Sequence, residues 1–187
     1  VVIFRCPVIV GKKRLDKLAI LFEMIRQNVT IWMIGDGKNQ IHFIYSKDLI
    51  EAMKLSFGLN GKHLLNIGSD DVSNLKNTFL SLFKHARFKG KVRHIPKFFG
   101  IIGLKFCHFI GLISLGPYHQ RMLVSNIVLD TSRIKEKLNW KPKFTNEEML
   151  KECFDHYINT LKEKKHLTAS KKLPNLKIIK VLKILSF

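Results

Sequence analysis

Apolar and polar positions alternate between two periods along this chain, and the alternation predicts its elements. Val1 to Phe4 is a β-rich apolar run stopped by Cys6-Pro7, and apolar residues on both faces predict a buried parallel strand. After Gly11-Lys12-Lys13, residues Leu15, Leu18, Ala19, Leu21, Phe22 and Ile25 recur at helical spacing and predict a helix over 15–27. Ile31 to Ile34 reads as a strand and Gly35-Asp36-Gly37 as a turn. Gln40 to Tyr45 reads as a strand by alternation, and Lys47-Asp48 opens a helix over 49–57 with Asp48 as its cap. Lys62 to Ile67 is a further strand, followed by a helix to His85 capped by Asp71 or Ser73.

The second half is mostly helical. Lys91 to Ile95 predicts a short strand, Asp130-Thr131-Ser132 the start of a short helix through Leu138, and Thr145-Asn146-Glu147-Glu148 a capped helix start running to about Lys164. Residues 98–116 are the most apolar stretch and long enough to span a bilayer, but Lys105 and His108 sit near the middle and Gly100, Gly103 and Gly111 weaken the helix. A helix buried on the protein's own core is the expectation there. Strands alternating with helices at short connections give an α/β fold class.

Charge changes this picture. Across 187 residues, 33 Lys and Arg against 14 Asp and Glu leave a net charge of +19. Such a chain attracts anions: nucleic acid, anionic lipid or phosphorylated small molecules. An apolar share of 46% excludes a disordered tail. Nucleic acid is disfavoured, because no stripe of arginines interleaved with aromatics occurs. From Lys162 onward the composition shifts to eight lysines and one acid. Within 174–187, Lys177, Lys180 and Lys183 fall on one side of a helix otherwise made of Leu, Ile, Val and Phe, an interfacial amphipathic pattern that predicts peripheral membrane contact. Three scattered cysteines, Cys6, Cys107 and Cys153, argue against a disulfide framework and for a reducing cytoplasm, with membrane association the alternative. The opening Val-Val-Ile-Phe-Arg, an apolar strand without a preceding methionine, reads as the start of a fragment.

Four patterns in order carry a family resemblance. They are Arg5-Cys6-Pro7-Val8-Ile9-Val10-Gly11; Gly35-Asp36-Gly37 running through Gln40-Ile41-His42-Phe43-Ile44-Tyr45 to Asp48; Leu65-Asn66-Ile67-Gly68-Ser69; and Asp130 followed by Leu138-Asn139-Trp140-Lys141-Pro142. Over residues 1–160 the chain resembles the C-terminal half of the extended short-chain dehydrogenase/reductases, in the NAD-dependent epimerase/dehydratase branch. Ser114 to His119 and Thr145 to Met149 also look like one bacterial-type subgroup. The resemblance implies the C-terminal part of a Rossmann-like doubly wound sheet plus a small, mostly helical substrate-binding domain, with residues 161–187 as a Lys-rich tail. It implies NAD, or NADP, as cofactor, a sugar nucleotide as small-molecule substrate, and a homodimer.

The same resemblance assigns site residues. The backbone at Cys6, Pro7, Val8 and Ile9 would border the nicotinamide, and Gly35, Asp36 and Gly37 would sit by the nucleotide end of the substrate, with Gln40 and Arg121, or His119, supplying polar contacts. The sequence departs from the family in three places. It contains no Gly-x-x-Gly-x-x-Gly turn, and none of Tyr45, Tyr118 and Tyr157 is followed four residues later by lysine. The arginine that clamps the diphosphate in many members is replaced by Ile41. The expectation is therefore a substrate-binding half that is inactive by itself, with the NAD-binding half missing and no catalytic residue or metal ligand in this chain. A hydroxysteroid- or lipid-alcohol dehydrogenase-like member, and a non-catalytic basic fragment that binds anionic membrane or nucleic acid, are the alternatives. Asp48, Asp130 and Trp140 read as structural.

Overall fold

The computed structural model of the chain describes residues 1–15, 18–111 and 121–166. Among these residues, six strands and six α-helices follow in the order β1 (Val2–Arg5), β2 (Val8–Val10), α1 (Leu18–Arg26), β3 (Ile31–Ile34), β4 (Phe43–Tyr45), α2 (Ser46–Leu55), β5 (His63–Asn66), α3 (Leu75–His85), β6 (Val92–Ile95), α4 (Lys97–Phe109), α5 (Ser132–Leu138) and α6 (Asn146–His166), with a short 3-10 turn at Ser56–Gly58 after α2. The strands form three parallel pairs. Val2 faces His63 in β1–β5, Val8 faces Phe43 in β2–β4, and Ile31 faces Val92 in β3–β6. Parallel pairing needs crossovers, and the helices supply them.

The β2–β4 pair divides two cores. Val10, Phe43 and Tyr45 turn to one side, where they meet Phe22 and Ile25 of α1, Leu82 and Phe83 of α3, and Met149, Leu150 and Phe154 of α6. Ile44 turns to the other side with Leu65, Ala52 of α2, and Ile134, Leu138 and Trp140 around α5. All five residues from Ile41 to Tyr45 are buried, so the alternation expected of a half-exposed strand is absent and helices cover both faces. At β1 the reverse holds. Parallel pairing was expected and is found, but Val1 and Ile3 are exposed and only Val2 and Phe4 pack inward.

Helix ends follow from local chemistry. Thr145 and Glu148 form a capping box at the start of α6: the Thr145 amide donates to Glu148 Oε2 at 2.8 Å, and the Glu148 amide to Thr145 Oγ1 at 3.3 Å. Asn74 caps α3 by accepting from the Asn77 amide at 2.8 Å, in place of Asp71 or Ser73. Asparagines in the left-handed conformation, Asn28 and Asn139, end α1 and α5. α2 begins at Ser46, three residues earlier than its pattern predicts, so Asp48 lies inside the first turn and does not cap it. Its buried carboxylate instead accepts the amides of Lys143 and Phe144 at 3.1 and 3.3 Å, pinning the loop before α6.

One expectation fails on the second half. α4 is not buried in the core: Gly100 is its buried residue, and its phenylalanines face outward. α6 ends at His166, close to the end expected near Lys164. The tail at 174–187 and the Ser114–His119 motif lie outside the described residues. No helix among the described residues is long and apolar enough to cross a membrane.

Candidate functional site

In open parallel sheets, ligands collect where strands end at their carboxyl edges. β3 and β6 pair in register up to Ile34 and Ile95, and the ladder runs one step further through the Gly35 amide, which donates to Ile95 O at 2.7 Å. The segments that leave these strand ends therefore start side by side. One is the Gly35-Asp36-Gly37 turn; the other is Pro96-Lys97, the first residues of α4. His94 Nδ1 lies 2.9 Å from Gly35 O and ties the two together again.

The turn needs its glycines. Gly35 and Gly37 have φ of 75° and 68°, a left-handed region that costs other L-residues energy. A Cβ at Gly35 would lie 3.0 Å from the Lys97 side chain, so that lysine is laid across the turn. Asp36 Oδ1 accepts the Lys38 amide at 3.1 Å. That bond, and then the charges of Lys38 and Lys97, hold the Asp36 carboxyl below the usual aspartate range.

A second wall comes from residues 123–129, stitched to the strand after the turn. Asn39 Nδ2 donates to Leu123 O at 3.2 Å, the Gln40 amide to Asn126 Oδ1 at 2.9 Å, the Ile127 amide to Gln40 O at 2.8 Å, and the His42 amide to Ile127 O at 2.8 Å. His42 finishes the seam. Its Nδ1 accepts the Leu129 amide at 3.1 Å, so its Nε2 carries the hydrogen and donates to Ser69 O at 2.6 Å. Burial pushes the imidazole below its ordinary value and favours this neutral form. Gly68 leaves room for the ring; a Cβ there would overlap it.

Two adjoining clefts result. One, of about 180 Å³, is lined by Asp36, Lys38, Asn39, Lys97, Val124 and Asn126. The other, of about 600 Å³, lies along Gly35, Asp36, Lys76, His94, Pro96 and Lys97. Asp36 and Lys97 belong to both. The arrangement sets lysine ammonium groups for an anion beside a carboxylate and two amides that can hold hydroxyl or ring nitrogen groups.

The sequence-predicted residues divide. Gly35 and Asp36 line the clefts, and Gly37 shapes the turn against Met33 and Lys76. Gln40 does not enter them: its side chain donates to Val72 O at 2.6 Å and holds the backbone together. Arg121 is exposed at the head of the 121–124 turn and lines neither cleft. Cys6, Pro7, Val8 and Ile9 belong to the β1–β2 junction; Val8 packs toward one core and Ile9 toward the other. Ile41 is buried in the first core, so no phosphate can be held at that position. Lys38 and Asn39 belong to the pattern that begins at the Gly-Asp-Gly turn, whereas Lys97 and Asn126 carry no motif. Only the pairing of Ile34 with Ile95, and the seam from Asn39 to Leu129, bring those two to the turn.

Compared with models of protein families, the sequence matches none. It is 27% identical over 157 residues to the uncharacterized protein y4nG of Sinorhizobium fredii (strain NBRC 101917 / NGR234), covering 84% of this chain and 40% of that one. Among solved structures it is similar to the UDP-glucose 4-epimerase of Thermotoga maritima crystallised with UDP-glucose, at a TM-score of 0.63 and 20% identity, covering 86% of this chain and 46% of that one. It is also similar to the UDP-glucuronic acid 4-epimerase of Bacillus cereus in complex with NAD, at a TM-score of 0.61 and 15% identity, covering 85% and 45%. The chain thus has a mixed α/β fold that matches Rossmann-like sugar-nucleotide epimerases. It spans less than half the length of the proteins it matches.

Proposed function

We propose that this chain is the substrate-binding half of a nicotinamide-dependent, epimerase/dehydratase-type enzyme and that the clefts around Gly35 to Asn39 take a nucleoside-diphosphate sugar. The observation that carries the reading is that Lys97, laid across the Gly-Asp-Gly turn, and Lys38, 3.9 Å from the Asp36 carboxylate, line one cleft at the carboxyl ends of β3 and β6. With Ile41 in the core, the two ammonium groups take over the diphosphate, and Asp36, Asn39 and Asn126 accept or donate to hydroxyl groups of ribose or sugar. The solved structures with this fold include one holding UDP-glucose and one holding NAD, which supports both halves of the reading.

The residues present do not fit a dinucleotide by themselves. β1 passes to β2 through Cys6 and Pro7 with no helix between, so its carboxyl end offers no helix N-terminus for a pyrophosphate. The sequence also lacks the glycine-rich turn and the Tyr-x-x-x-Lys pair. We therefore assign this chain substrate binding and no hydride or proton transfer.

Calorimetric titration with UDP-glucose, UDP, uridine and inorganic pyrophosphate tests the reading. UDP-glucose and UDP are expected to bind more tightly than uridine, and Lys97→Ala and Lys38→Ala to weaken UDP roughly tenfold each, the loss of one charge-assisted contact. Equal binding of pyrophosphate and UDP, unaffected by either substitution, would mean that the net charge alone attracts the anion and would overturn the proposal.

A further inference from the structure

α4 presents a surface that the clefts do not use. Phe98, Phe99, Ile102, Phe106, Phe109 and Ile110 are all exposed, Phe109 to 87%. At 3.6 residues per turn they fall within about a third of the helix circumference. On the opposite side Gly100 packs directly on Ile34, where an added Cβ would lie 2.7 Å from the isoleucine Cγ2. The helix is thus anchored by its smallest residue and turns its widest apolar stripe outward. Exposed Lys105 borders one margin of the stripe.

The charge along the sequence that carries this helix is one-sided. From Val72 to Leu129 the sequence has nine Lys and Arg and no Asp or Glu. At 13 residues the helix is about 20 Å long, too short to cross a bilayer. An aromatic and aliphatic stripe edged by cations, on a short helix free of acids, is the composition that lies in a membrane interface. A second copy of the same face would bring like charges together, whereas anionic headgroups neutralise them and acyl chains take the phenylalanines.

We propose that α4 is an interfacial anchor that seats its Phe98–Ile110 face in an anionic bilayer. This stands apart from the sugar-nucleotide reading and from the tail at 174–187. The test is cosedimentation of the 187-residue chain with vesicles of phosphatidylcholine alone or mixed equally with phosphatidylglycerol, at physiological salt. Binding at least tenfold stronger to the mixed vesicles is expected. The double variant Phe106→Ser/Phe109→Ser should lose that binding at least tenfold while keeping the thermal transition of the parent, because both side chains are already in water. In a second measurement, Phe109→Trp should show an emission blue shift with mixed vesicles, read as the difference from the parent chain. Full binding by the double variant with no shift of the introduced indole would overturn the proposal and assign the contact to charge or to the tail. So would an absence of vesicle binding together with a dimer in solution that the double variant breaks, which would make a second copy the occupant.

Discussion

α3 and α4 are of similar length, are both basic and are both rich in phenylalanine and leucine or isoleucine, yet they relate to the core in opposite ways. α3 buries Leu75, Leu82 and Phe83 and runs against α6. α4 buries Gly100 and leaves its phenylalanines in water. The difference lies in the second layer. α6 is a 21-residue helix that closes over α1 and α3, whereas α4 rests on β3 and its outward phenylalanines stay exposed. Apolar content states how much a helix has to bury; the neighbour decides whether it does.

The largest effect that sharpens this contrast is a matched pair of truncations. Leu82→Ala, at a fully buried site, is expected to lower stability by about 2–5 kcal/mol in denaturant unfolding. Phe109→Ser should stay within about 0.5 kcal/mol of the parent, since nothing packs on it. Comparable losses from both would show that α4 is packed after all.

Next comes the polar tie on the layered side. Glu23 of α1 is buried and accepts Tyr157 Oη of α6 at 2.7 Å and Arg26 Nε at 2.8 Å, with Gln27 as a third donor. Burial alone would raise its carboxyl, but the bonds from Arg26, Gln27 and Tyr157 outweigh it and hold the group at about 2, against an ordinary 4.5. A folded value below the unfolded one means that the ionised carboxylate stabilises the fold at neutral pH. That contribution, at most about 3 kcal/mol, should fade as pH falls from about 4.5 toward 2. Melting temperature against pH should show this fall, and Glu23→Gln should flatten it.

Gly100→Val tests the thin attachment of α4. With Ile34 only 2.7 Å from an added Cβ, the helix must shift, at a cost of about 1–3 kcal/mol, and Ile34→Ala should restore part of it. The smallest effect is Glu148→Ala, which opens the capping box of α6 and should cost about 0.5–1 kcal/mol in thermal unfolding.

Much of the fold was legible in the sequence where a local rule decides it. The Thr145 to Glu148 box, the strands at 31–34, 63–66 and 92–95, and the glycine turn at 35–37 follow from residue type and spacing. Asp48 and Gln40 were not legible, because their partners, Lys143 and Val72, stand far away in sequence and no pattern announces them. The burial of α4 was misjudged for the same reason: hydropathy records the helix, and the covering layer is a tertiary fact. For the site, the stretch from Gly35 through Asn39 could be read, but Lys97 could not. It looks like one of many lysines until β3 and β6 end side by side.

His42 has a consequence for how distant parts of the chain are coupled. One hydrogen is shared between its two ring nitrogens, so donation from Nε2 to Ser69 O leaves Nδ1 free to accept the Leu129 amide, and each contact favours the tautomer that the other needs. A single neutral ring thereby ties the loop after β5 to the 123–129 wall, across 27 and 87 residues of chain. A second proton on that ring would take away the acceptor and loosen the border of the cleft.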